Sequence, residues 1–434
     1  VVGKPCARQS YPNSSLNHFT LELPMNRWYR LFCLLLAFGL LFALAPLRTR
    51  TAWAQAAWVV TTAADEGSGS LRALLLSAPA GATITFDPGV FPPESPVVIP
   101  LEGEPLEMLQ GRITLDATGA GVVLDGAQMD GDVLWVLSDG NVLRGLTITG
   151  APGVAIVVEN GAGNVIGGRN AAPGEGCAGD CSHIYGVGQG IHLRGERTSN
   201  NSITGNLLGV ADADAGLPAF AQEALLLSAG AHDNVIGGET PAERNVINAG
   251  GEGAGLVLEG RGTSGNRVIG NFIGTDVSGT AALGNSNGIS LWAGAAENVI
   301  GGGDPLVVGA CTGTCNLISG NDWEGVDLGG EDCHDNAIVG NFIGTDLSGT
   351  RALGNRSNGI IASDGARATR IERNLISGNG SGVVLEASPG GDTLVGNWIG
   401  VDISGGAPLG NRAQGVCPAA GTVGAVIGPD NVIA

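Results

Sequence analysis

The chain has 434 residues, of which 75 are glycine, and carries a formal charge of -20 with Lys4 as its only lysine. No Gly-X-Y triplet runs through it, which excludes collagen, and 43% hydrophobic residues supply the core material that a disordered chain lacks. An acidic body with almost no lysine argues against binding to a phosphate backbone or an anionic membrane surface. Aromatics are only 4%, so the core must be built from Val, Ile, Leu and Ala, which suits narrow parallel β-stacks better than helices.

The first segment reads as processing sequence. Met25 to Arg30 is a charged n-region, Leu31 to Ala45 an apolar h-region, and Ala52-Trp53-Ala54 an A-x-A cleavage site. The apolar run is shorter than the roughly 20 residues of a membrane span. Residues 25–54 are therefore expected to be a Sec-type signal peptide, cleaved rather than kept as an anchor. Residues 1–24 are expected to be non-native upstream sequence. The mature protein is then secreted or held at the cell surface, without spanning a membrane.

Residues 55–150 are expected to hold an N-terminal cap and the first coils. Ser70 to Ala78 has helical propensity with Ser70 as a candidate N-cap. A short helix there would hide the open apolar end of a stack. Short β-like runs follow at Val97–Ile99, Ile113–Leu115, Val122–Leu124, Leu134–Leu137 and Leu146–Ile148, separated by Gly, Asp and Asn turns.

Over 151–434 a register emerges. A unit of small residue, aliphatic, any residue, aliphatic recurs at Gly153, Gly190, Ala224, Gly255, Gly288, Gly325, Gly359, Gly382 and Gly415, at intervals of 23 to 37 residues. A second unit, Asn-x-Ile-x-Gly, recurs at Asn164, Asn201, Asn234, Asn245, Asn266, Asn298, Asn316, Asn336 and Asn374. Longer intervals carry insertions such as GTDLSGTRALGN. Asp430 to Ala434 opens a further unit without a capping element, the pattern of a truncated array. Periods in the tens of residues indicate a stacked-coil solenoid. Alternate residues of each short strand point inward and stack aliphatics along one core. Gly and Asn tolerate the positive φ of the turns, and asparagines in equivalent turns can bond into ladders.

The opening VTTAADEGSGSLRALLLSAPAGATITFDP, with the NVIGG, NLISGN, GNFIGTD and SGTxALGN units, resembles secreted bacterial right-handed parallel β-helix repeat proteins of the CSLREA type. The resemblance runs from Trp58 to Ala434. It implies an all-β, right-handed parallel β-helix of the pectin-lyase-like class with a short N-terminal capping helix, built from PbH1 repeats. That class includes polysaccharide lyases, hydrolases, epimerases and tailspikes, so the resemblance is specific for fold and not for activity.

A catalytic site on this fold needs two or three carboxylates, with a basic partner, on adjacent coils of one face. The outward position after the first aliphatic reads Ala155, His192, Leu226, Val257, Ser290, Asp327, Ile361, Val384 and Cys417. Two residues on it reads Val157, Arg194, Ser228, Glu259, Trp292, Gly329, Ser363, Glu386 and Ala419. Neither column places two carboxylates side by side. The nearest approach to a site is Glu259, Trp292 and Asp327 on three consecutive coils, with Glu259 and Asp327 the candidate catalytic groups and Trp292 the candidate sugar-stacking platform.

Asp276, Asp346 and Asp402 repeat in equivalent GTD-type loops. They read as Asx turns, with calcium as the alternative and no cofactor otherwise expected. His183, His192, His232 and His334 are scattered and read as surface histidines. The spacing Cys-x3-Cys at Cys177/Cys181 and Cys311/Cys315 predicts two local disulfides rather than zinc. Cys333 and Cys417 lie several coils apart and are not expected to pair. The functional expectation is a non-catalytic secreted or cell-surface protein making adhesive or carbohydrate contacts, with an extracellular polysaccharide or cell-surface component as partner and no nucleic acid. The alternative is a polysaccharide lyase, glycoside hydrolase or epimerase on the same scaffold.

Overall fold

The computed structural model describes residues 57–210 and 219–434; the expected signal peptide at 25–54, the upstream segment 1–24, Cys6 and Cys33 lie outside the described residues. The chain is a right-handed parallel β-helix. Its short strands fall into three sheets of 13, 12 and 11 strands, and every ladder pair is parallel between successive coils. Sheet 1 starts at Trp58–Val60, sheet 2 at Val97–Gly103 and sheet 3 at Leu106–Met108. From Leu134 onward each coil visits sheet 3, then sheet 1, then sheet 2. A parallel return to the same sheet is right-handed because right-twisted strands pack back only that way.

Period-two alternation explains the core. In sheet 3, Ile191, Leu225, Leu256, Ile289, Val326 and Ile360 stack in one inward row, each fully buried. Matching rows run through Ile203, Ile236 and Val268 in sheet 1 and Ile247, Ile273 and Ile318 in sheet 2. Burying each such side chain is worth about 1.5–3 kcal/mol, and stacking like on like lets one aliphatic pattern serve every coil.

The corners are held by asparagine. Three ladders form, one per corner, whereas the sequence pattern merges two of them. Asn164, Asn201, Asn234, Asn266, Asn298 and Asn336 belong to the corner entering sheet 1. Asn245, Asn316 and Asn374 belong to the corner entering sheet 2, together with Asn271 and Asn341. A third ladder, Asn285, Asn321, Asn355 and Asn379, lines the corner entering sheet 3. Both corners of the first pair are followed by an aliphatic run, so the motif alone does not separate them. Gly237, at φ 91°, shows why glycine follows the isoleucine: a Cβ there would lie 2.0 Å from the Ile269 carbonyl and 2.5 Å from Asn271 Oδ1.

Helix α1 (Leu71–Ser77) starts at Ser70, whose Oγ accepts a bond from the Ala73 amide at 3.3 Å. Its buried Leu71 and Leu75 close the first end of the barrel, beside the opening strands of sheets 1 and 3. At the other end Val426, Ile427, Val432 and Ile433 are exposed in the last described coil. A second, one-turn helix α2 (Pro305–Val308) sits in the loop that carries Cys311 and Cys315.

One stretch of register departs from expectation. His192 pairs with Val157 rather than Ala155, and Arg194 with Glu159 rather than Val157. The run Gly153-Val-Ala-Ile-Val-Val satisfies the unit twice, and pairing of Ile156 with Leu134 selects the later match.

Candidate functional site

Two of the three outer faces differ in what covers them. On sheet 2 the outward Phe272, Leu317, Phe342 and Leu375 are buried beneath loop residues Val277, Leu347 and Ile403. These loops are the GTD insertions. They stack on each other, the Leu347 amide donating to the Gly279 carbonyl at 2.9 Å and the Ile403 amide to the Gly349 carbonyl at 3.0 Å. Each insertion closes on its own aspartate. Asp276 Oδ1 accepts from the Thr280 and Ala281 amides and Oδ2 from Ser278 Oγ. Asp346 and Asp402 are engaged by Ser348 and Ser404 in the same way. Burial pushes the Asp276 carboxyl up, but its hydrogen bonds from Ser278, Ala281 and Thr280 outweigh this and hold it below the ordinary range. Such filled carboxylates serve the turn. Among the described residues no group of three or more metal-ligating side chains assembles.

Sheet 3 carries the sequence-predicted residues. Glu259 and Trp292 pair across adjacent strands, Leu256–Glu259 and Ile289–Trp292. Asp327 lies on the next strand, Val326–Gly329, paired with Ser290, and thus two residues before the column of Trp292. The indole of Trp292 leans over Gly329 of that strand: a Cβ on Gly329 would sit 2.6 Å from ring carbon Cζ3. Glycine at this register position therefore gives the ring a flat bed, and Trp292 remains 36% exposed.

Asp327 is recessed, with only 8% of its surface exposed. Burial, then the charges of Glu324 and Asp364, push its carboxyl up to about 7, against the opposing bond from Asn287 Nδ2 to Oδ2 at 3.1 Å. Glu324 and Asp364 escape a column-by-column reading because they flank the strand rather than sit in its outward rows. Glu324 lies in the entering corner, where its Oε1 accepts from Ser357 Oγ at 2.7 Å and Asn358 Nδ2 at 3.1 Å. Asp364, at φ 53°, occupies the left-handed turn found after several sheet 3 strands, as Ala293 and Ala387 do. Beside Glu324 stands Trp323, 62% exposed, also absent from the sequence-derived candidates. The run Trp323-Glu324-Gly325-Val-Asp327 contains two of these three groups together with Asp327, and it repeats nowhere else in the chain. Its uniqueness was the available signal.

The remaining predicted groups lie elsewhere. His192 shares the face but is half-buried, not a surface residue. Burial first, then Arg194, lower its imidazole to about 4, while Asp132 and Glu159 oppose, so it is neutral at physiological pH. Its Nε2 lies 2.8 Å from Ser228 Oγ. His183, another expected surface group, sets Nε2 2.7 Å from the Val210 carbonyl. Cys177–Cys181 and Cys311–Cys315 are disulfide-bonded, on the loops packed over sheet 2. Cys333 and Cys417 are free thiols, and burial pushes that of Cys333 up to about 12.

No protein-family model and no curated protein sequence matches the chain. Among solved structures it is similar to the A-module of the Azotobacter vinelandii mannuronan C-5 epimerase AlgE6, at 16% identity and TM-score 0.49, covering 87% of this chain and 99% of that one. It is also similar to an alginate lyase from a Paenibacillus species, at 15% identity and TM-score 0.41, covering 76% and 97%. A third likeness is to the Dettilon tailspike protein, at 16% identity and TM-score 0.43, covering 86% and 66%. The three parallel ladders of the chain itself place it among the right-handed parallel β-helices.

Proposed function

We propose that this chain is a secreted or cell-surface β-helix protein that contacts carbohydrate through the outer face of sheet 3. The observation that carries this reading is the pair of exposed indoles near the recessed Asp327, Trp292 on the neighbouring strand and Trp323 in the corner that leads into the strand of Asp327. Indoles offer large apolar area at low entropic cost, and a solenoid holds them in place without loop ordering. The polar groups between them, Ser290, Asn287 and Glu324, are of the kind that fix a sugar's orientation. Export is supported by the two short-range disulfides. The test is binding of the full chain to a panel of extracellular polysaccharides. Trp292→Ala combined with Trp323→Ala is expected to reduce binding at least tenfold; unchanged binding would refute the site.

A second reading, a polysaccharide-active enzyme on the same face, is favoured by one observation. Asp327 keeps its proton to about pH 7 beside Glu324 and Asp364. An acid held protonated next to ionised carboxylates is the pairing that glycosidic chemistry uses. Asp327 would give its proton to the leaving oxygen while a neighbouring carboxylate activates water or takes a proton. New reducing or unsaturated ends made by the native chain, and lost in Asp327→Asn, would establish the enzyme. Binding without turnover supports the adhesive role.

A further inference from the structure

The face that carries Trp292 also carries a second aromatic station. Trp135 lies in the outward row of sheet 3, paired with Glu107 on one side and Val157 on the other. It walls a cavity of about 410 Å³ whose other polar walls are Glu104, Glu107, Asp130 and Asp132. Its Nε1 donates to Asp132 Oδ2 at 2.9 Å, which fixes the ring. Five ladder steps separate the Trp135 strand from that of Trp292, about 24 Å at the usual strand spacing.

Both tryptophans in the outward rows of sheet 3 have a carboxylate as cross-strand neighbour: Trp135 pairs with Glu107 and Trp292 with Glu259. One basic group stands among them: Arg194, the one arginine in the outward rows from Glu107 to Glu386, bonds Glu159 at 2.9 Å and sets its guanidinium 5.3 Å from the centre of one face of the Trp135 ring. His192 in the same row is neutral. A polymer of uronic acids would bring its carboxylates against these with only Arg194, already paired with Glu159, to receive them, a like-charge contact that complementary interfaces avoid. A protonated amine on a sugar ring meets the opposite situation. Its ring stacks on the indole while the ammonium reaches the adjoining carboxylate and the aromatic face.

The geometry points to a linear amino-sugar polymer with free ammonium groups, laid along the solenoid axis across sheet 3, as the ligand of this face. This rests on the carbohydrate-contact reading and narrows it from carbohydrate in general to one class. Both stations are then used at once, so affinity grows steeply with chain length until the oligomer spans them.

The test is calorimetric titration of the full chain, at mildly acidic pH and low salt, with glucosamine oligomers, their N-acetylated forms and uronic acid oligomers of equal length. Glucosamine oligomers long enough to span both stations are expected to bind at least tenfold more tightly than the other two. Trp292→Ala and Trp135→Ala are each expected to cost the long oligomer at least tenfold, and Glu259→Gln several-fold. Equal or tighter binding of the acetylated or uronate oligomers, still sensitive to Trp292→Ala, overturns the amino-sugar assignment while leaving the carbohydrate face in place. Glucosamine binding that survives Trp292→Ala is bulk attraction to an acidic chain, since that change leaves the charge untouched, and overturns it too. If no oligomer of any class binds, both readings fall.

Discussion

Asp327 carries its proton into the neutral range, and the sign of the consequence follows from linkage. Its native value of about 7 lies above the ordinary aspartate value, because burial and then Glu324 and Asp364 disfavour the charge. The folded chain therefore holds a proton that the unfolded chain releases. The stability this group contributes is complete below about pH 4 and is lost as the pH rises to about 7. Asp327→Asn should remove that slope and stabilise the protein at about pH 8 by up to about 4 kcal/mol. Denaturant midpoints of the two chains, measured at acidic and alkaline pH, check this; parallel curves would contradict it.

Among the elements, the asparagine ladders are a larger investment than any surface ion pair. Asn266 Oδ1 accepts from the Asn234 amide and side chain, each at 3.0 Å, while its own Nδ2 donates to the Ala231 carbonyl and Asn298 Oδ1. Asn266→Ala leaves buried donors of Asn234 without an acceptor, which costs about 2–5 kcal/mol. The same change at half-buried Asn411, where water can replace the bonds, should cost clearly less; equal losses in unfolding midpoint would show that the ladder is not the source. The insertions over sheet 2 make a separate prediction. Alkylation of the denatured, unreduced chain should modify Cys333 and Cys417 and spare Cys177, Cys181, Cys311 and Cys315, as read by peptide mapping. Labelling of any of those four would remove the disulfides from the loops.

Over the whole molecule, core and face are separable. Inward rows close the barrel, loops cover sheet 2, and Trp135 and Trp292 stand in the outward rows of sheet 3. Trp292→Ala should therefore cost less stability than Asn266→Ala while weakening ligand binding at least tenfold. A large loss of stability would mean that the ring is part of the packing over Gly329 rather than a platform. Coil stacking, the inward aliphatic rows, the turn glycines and the role of Asp276, Asp346 and Asp402 were all legible in the sequence, because each recurs in several coils and repetition averages out local ambiguity. Glu259, Trp292 and Asp327 were legible as neighbours for the same reason, since counting coils places them. Glu324, Asp364 and Trp323 were not, because they sit in corners, where side-chain direction follows the turn and no longer the two-residue alternation of a strand. The register between Ala155 and Val157 was undecidable from residues alone, since both frames bury aliphatics, and only pairing with Leu134 broke the tie. Local alternation and repetition thus determined the solenoid, while the charge neighbourhood of Asp327 and the covering of sheet 2 were decided only when coils stacked and loops took their places.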